Sequence, residues 1–325
     1  MKMKKLGIIL AGLMSISAFA GCTNVDQKVM FEPYWNENVS SGYVEIDETL
    51  TYNVTFDKED YTPLVNYTLD YSNGVYTTHL VGAKVNGELI YTYTTEFSID
   101  VKFTLNNQSE TFTDTMTSEV IFKSAGLQPI SSKKEFKSHS PKNGETATLD
   151  QCYDEYHYTV EISYEDSTSG KVVKMNNKLG TNDDNPENNS FEIDQKKFTY
   201  LDNEQLLFAL RGMRATTTSA KVNVYSPFVN AIQKVSISFA ADETRTEKFS
   251  RNGEAEKEET LTVRPASVVL DERNPGETQK VLVAKHSEAS GINQNRNVLV
   301  YWETPLSYNL GALKYDLKDM TYTKA

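Results

Sequence analysis

ELIYTYTTEFSIDVKFTL, residues 88–105, sets Leu89, Tyr91, Tyr93, Phe97, Ile99, Val101, Phe103 and Leu105 on one parity. Thr92, Thr94, Glu96, Ser98, Asp100, Lys102 and Thr104 hold the other. Alternation of period two puts one set on each face of an extended chain, which defines a half-buried antiparallel strand. At about 3.3 Å per residue the run reaches about 55 Å, well beyond a usual strand. Twist accumulates along such a length, so the strand must coil, bend at a bulge or wrap round something. The expected fold is therefore mainly β: a long, curved, half-barrel-like antiparallel meander.

The flanking sequence supplies partners. Val44, Ile46, Leu50, Tyr52, Val54 and Phe56 alternate with polar residues, as do Val65, Tyr67, Leu69 and Tyr71. Asn73-Gly74, Asn86-Gly87 and Asn106-Asn107 offer the positive-φ pairs of tight hairpins. Phe112, Met116, Val120 and Phe122 predict an equally long strand beyond the last of these turns. Residues 133–144 read as a polar connection, and Tyr156 to Tyr164 as the next strand. Val222-Val224, Val235-Ile237-Phe239, Leu261-Val263 and Val281-Val283 alternate in turn, with hairpin signals at Asn252-Gly253 and Pro275-Gly276. Glu254 to Glu259 reads as a wet hairpin, and residues 297–302 and 313–317 as a closing pair.

One helix interrupts the strands, over 203–214. Asp202 is placed to cap it and Gln205 to complete a capping box. Leu206, Leu207, Phe208, Leu210 and Met213 cover much of its circumference, so it should be buried on more than one side, as a plug in the concave face of the sheet. Arg211 and Arg214 lie at its carboxyl end, where cations complement the dipole, a reading favoured over an anion site. Tyr91, Tyr93, Phe97, Phe208 and Trp302 are the candidate lining of a hollow for an apolar or amphipathic ligand.

The chain carries 33 Lys+Arg against 45 Asp+Glu, a net −12. Loss of Lys2, Lys4 and Lys5 with a leader would make it more acidic still. Such a balance argues against nucleic acid as a partner and against attachment to an anionic membrane through a basic patch. Lys2, Lys4 and Lys5, the apolar run Leu6 to Phe19 and the small residues Ala20-Gly21 have the layout of a secretory signal over 1–21. Phe19-Ala20-Gly21-Cys22 resembles the lipobox of bacterial lipoproteins, with Phe19 where Leu is usual. That resemblance implies a diacylglycerol on Cys22, an extracytoplasmic address on the cell membrane, and a tether over 22–42. The β domain then spans 43–325, with room for two sub-lobes meeting near 130–150.

A second resemblance rests on Asp202 to Arg211 and on Leu310-Gly311-Ala312-Leu313-Lys314-Tyr315-Asp316-Leu317. A long β-meander followed by these two segments resembles a family of uncharacterised bacterial extracytoplasmic proteins whose curved sheets are similar to the half-barrels of lipoprotein carriers. It implies a curved sheet with a helix near its hollow, and it brings no catalytic residues.

Chemistry is sparse. Phosphate-binding loops, nucleophile elbows, zinc-binding helices and Cys-x-x-Cys pairs do not occur. His79, His139, His157 and His286 show no ligand spacing. Cys152, with His157 nearby, is read as a structural thiol rather than a nucleophile. Residues 182–189 are rich in oxygen ligands but lack EF-hand spacing, so no metal or other cofactor is expected. Glu303, after Tyr301-Trp302, is the one catalytic candidate should the protein act on sugars. The leading expectation is a non-enzymatic, membrane-anchored module that binds a lipid, a glycolipid or an envelope protein. A cell-wall polysaccharide enzyme and a structural or adhesive surface protein are the alternatives.

Overall fold

The computed structural model describes residues 28–36, 45–61, 66–142, 144–165, 168–176, 187–226, 231–270, 278–285, 294–306 and 310–323. Cys22, the leader, residues 182–186, Pro275-Gly276 and His286 lie outside the described residues. Eight strands form the first half of the sheet: β1 (Ile46–Tyr61), β2 (Thr68–Val85), β3 (Glu88–Leu105), β4 (Gln108–Lys123), β5 (Pro129–Pro141), β6 (Tyr153–Ser163), β7 (Ser169–Asn176) and β8 (Glu187–Glu192). Then come the short β9 (Tyr200–Asp202) and the helix α1 (Gln205–Leu210). The second half holds β10 (Ser219–Ser226), β11 (Ala231–Phe239), β12 (Glu243–Arg251), β13 (Lys257–Val269), β14 (Thr278–Ala284), β15 (Leu299–Pro305) and β16 (Leu310–Tyr322).

All sixteen belong to one sheet, ordered β8-β7-β6-β5-β4-β3-β2-β1-β16-β15-β14-β13-β11-β10-β9, with β12 pairing both β13 and β16. That double pairing closes β12 to β16 into a five-stranded ring. The remaining strands extend from it as a curved wall, so the fold is the mainly β, barrel-like meander expected from residues 88–105.

Asn86-Gly87 and Asn106-Asn107 turn the chain with positive φ at all four residues. Between them, β3 pairs with β4 without a break from Ile90 opposite Lys123 to Leu105 opposite Gln108. Bending falls to its neighbours. The register shifts between Ser72 and Val75 in β2 and between Thr51 and Tyr52 in β1. Asn73-Gly74 is thus a bulge inside one long strand rather than the expected hairpin. Gly74 fits because a Cβ there would lie 2.6 Å from the Val54 carbonyl oxygen.

A further expectation is corrected. Residues 133–141 do not form a polar connection, since they lie in β5, which pairs with both β4 and β6. Ser132, Lys134, Phe136, Ser138 and Ser140 are its inward, buried side chains. Of the stretch 22–42, residues 28–36 are described, and they pack on the sheet. Phe31, Trp35 and Asn36 are buried, and a bridge between Phe31 and Met213 ties this strap to the end of α1.

Candidate functional site

The concave face of the sheet is closed by its own chain. All six residues of α1 are buried. Phe208 lies against Trp35, Tyr93 and Phe122, with ring centroids 5.0, 5.3 and 5.6 Å away. Trp35 donates its indole N–H to the Tyr91 hydroxyl at 3.0 Å. Trp302 stacks on Tyr315 at 4.2 Å, and Tyr52 meets it edge-on at 4.6 Å. Phe97 lies 6.3 Å from Tyr315, centroid to centroid. The five residues proposed to line a hollow are therefore at most 5% exposed, and they form core. Burying large rings against one another is the usual fate of such a stripe, because each removes a large apolar area from water. A cleft beside Tyr34, Met213, Phe239 and Arg264 keeps about 20 Å³ of water-accessible space, room for one water.

Polar chemistry is concentrated where β9 turns into α1. Asp202 Oδ1 accepts from the Lys134 ammonium at 2.7 Å and from the Glu204 backbone N–H at 3.0 Å. Its Oδ2 accepts from the Ser132 hydroxyl at 2.7 Å and the Tyr164 hydroxyl at 3.0 Å. Gln205 Oε1 accepts from the Asp202 N–H at 3.3 Å, the reciprocal half of the expected capping box. Lys134 also donates to Asn203 Oδ1, and Asn203 Nδ2 donates to Glu204 Oε1 at 2.7 Å. Lys134, Asp202, Asn203 and Glu204 are 0–3% exposed.

Glu204 is the unusual member. Burial pushes its carboxyl up to about 7, with Lys134 opposing and Asp202 adding to the rise. Its Oε2 has no hydrogen-bond partner among the described residues. Tyr76, Tyr93 and Tyr315 face it, and its charge adds to the burial that raises their own hydroxyls. The folded state thus holds a proton that the unfolded chain, titrating near 4.5, releases. Unfolding gives up that proton, so rising pH favours the unfolded chain between about 4.5 and 7. Urea titrations across this window should show wild-type stability falling by a few kcal/mol relative to Glu204→Gln. Parallel pH slopes for the two proteins would contradict the assignment.

At the other end of α1, Arg211 is 2% exposed rather than solvated. Its guanidinium makes two bonds to the Glu48 carboxylate, at 2.6 and 3.0 Å, and one to the Arg296 carbonyl at 2.9 Å. Burial works against the charge, but Glu48 outweighs it and holds the guanidinium protonated. Arg214 instead meets Glu32 of the strap at the surface.

The other candidates separate. Cys152 is buried against Thr146 Oγ1, while His157 pairs with Glu135 at 2.8 Å. His79 and His139 pair with Asp47 and Asp114. Glu303 accepts from Lys280 at 3.1 Å and from the Tyr301 hydroxyl at 3.2 Å, in the manner of paired charges on a wet face. Among the described residues no cluster of three His, Cys, Asp or Glu could hold a metal. Glu48, Lys134 and Glu204 were missed in the sequence. Glu48 and Glu204 stand out as charges on an otherwise inward parity or apolar segment; Lys134 does not, because its inward neighbours on β5 are mostly serine.

The fold and its packed interior define a barrel-like β protein. No known family matches the sequence, and no curated protein matches it either. Among solved structures, a β-barrel-like protein of a domain of unknown function, DUF1849, from Brucella abortus aligns with a TM-score of 0.45 and 9% identity. The alignment covers 86% of this chain and 99% of that one.

Proposed function

We propose that this chain is a lipid-anchored extracytoplasmic lipoprotein, held to the cell membrane through Cys22. Its β domain is a non-enzymatic module that engages an envelope partner through its outer surface. The observation that carries this reading is the filled concavity: α1, Trp35 and Phe208 occupy the space that a lipid or glycolipid would need. The outer faces of the long strands remain, with short ladders of alternating charge such as Glu119, Lys133 and Glu161.

Two measurements test it. Cys22→Ser should abolish labelling by radioactive palmitate and release the protein from the membrane fraction. Native mass spectrometry of protein purified from its own host should give one mass, the covalent anchor included, unchanged by organic extraction. A soluble, unlabelled parent would remove the anchor from the proposal. A discrete extractable lipid beyond the anchor would restore the ligand hollow and overturn the surface reading.

A further inference from the structure

A buried Lys–Asp pair needs an amine, a carboxylate and hydrogen bonds for the spare lone pairs, and Lys134, Asp202, Ser132 and Tyr164 supply all of these. Two further groups have no part in that pair. Asn203 turns its side-chain carbonyl onto the Lys134 amine. The orientation is dictated by chemistry, because an ammonium has only donors to offer. Glu204, an acid buried without a cation of its own, sits on the amide nitrogen of Asn203 with its second oxygen unpartnered. Burying a carboxyl with one oxygen unpartnered costs stability.

We infer that Lys134 and Asn203 condense to form an intramolecular isopeptide bond, with Glu204 as the acid–base group. Nζ attacks Cγ of Asn203, one bond beyond the oxygen it already touches. Asp202, 2.7 Å from Nζ, takes the proton that frees the amine's lone pair. As the new C–Nζ bond forms, Glu204 donates its proton to Nδ2, 2.7 Å away. The Cγ–Nδ2 bond then breaks and ammonia leaves. The second Nζ proton returns to Glu204, and the acid is regenerated. The departing ammonia carries off the proton held by Asp202, so the balance is ammonium plus primary amide giving secondary amide plus ammonium, with no oxidant or co-reactant.

Uncatalysed transamidation in water is slow. Here the two groups are held in contact by β5 and by the β9–α1 turn, and such placement supplies effective molarities of roughly 10⁵ M or more. Burial of all four side chains keeps water from competing for the carbonyl. An acid protonated near neutral pH is the form that can assist a departing amine. The product would join the fifth strand covalently to the start of the helix that plugs the sheet.

Peptide mapping of the purified full-length protein tests this directly. The peptide containing Lys134 and the peptide containing Asn203 should be recovered as one branched species, lighter than their sum by one ammonia and resistant to thiol reductants. Asn203→Asp should join with loss of one water instead. Lys134→Arg should give two separate peptides from a folded protein, with folding checked by circular dichroism. Glu204→Gln keeps the shape of the acid, and it should leave the peptides mostly unjoined. Separate, unmodified peptides from folded wild type would overturn the inference, leaving an ordinary buried ion pair. Full joining in Glu204→Gln would overturn the part given to the acid.

Discussion

Arg211→Ala is expected to destabilise the protein by about 3–5 kcal/mol, because the substitution leaves Glu48 as an uncompensated charge in the core. Both partners are nearly inaccessible, and the pair spans from α1 to β1. Chemical denaturation should show a lower midpoint with little change in slope. Replacing both partners, as in Glu48→Leu with Arg211→Met, should recover most of the loss. Desolvating two charges cancels much of their attraction, so an apolar pair of similar volume is nearly neutral. A single Arg211→Ala variant within about 0.5 kcal/mol of wild type would place the guanidinium in solvent and refute the buried pairing.

Phe208→Ala is expected to cost about 3–5 kcal/mol by a different route, the loss of a large buried ring plus the cavity it leaves. Trp35, Tyr93 and Phe122 contact that ring from the strap, β3 and β4, and all three belong to the same packed core. They cannot all collapse into the gap, so the variant should retain a dry space bounded by aromatic and aliphatic groups. Such spaces bind small apolar molecules. Benzene or indole should therefore raise the melting temperature of Phe208→Ala and leave wild type unchanged. A stabilising effect on wild type would mean that the hollow is already open.

How much could be read in the sequence depended on whether chemistry and geometry coincided at a position. At residues 88–105 they did: large apolar side chains faced inward, polar ones outward, and turn residues stood at both ends. In β5 they did not. Its inward residues are mostly Ser, with Lys134 among them, so a core-facing parity looked like a solvated loop. The buried network it meets rewards hydroxyls and an amine there, and a pattern based on hydrophobicity cannot see that. Asn73-Gly74 failed for another reason. The same positive-φ pair serves a hairpin or a bulge, and the choice was made by β1 and β3 running on past it. Trp35 lacked any periodic context, since a strap packs by single side chains. At the start of α1 the Asp202–Gln205 contact was legible, but Glu204 takes the cap position, and at the other end Arg211 is a buried partner of Glu48 rather than a solvated cation on the dipole. What lay opposite the two ends was not legible, because Glu48 and Lys134 come from strands far away in the chain.

The placement of β16 has a consequence for how the chain reaches its native state. This strand sits between β1 and β15 and touches β12, so the wall and the ring share it. Glu48 faces Tyr322 across that seam. Pairings between such distant parts must overcome a large loop-closure entropy before they return any stabilisation, and sheets built this way fold slowly. Until β16 is available, β1 lacks a neighbour on one side and the ring stands open. The consecutive hairpins from β1 to β6 can form on their own, whereas the seam with β1 and the ring close together, in one step, when β16 pairs.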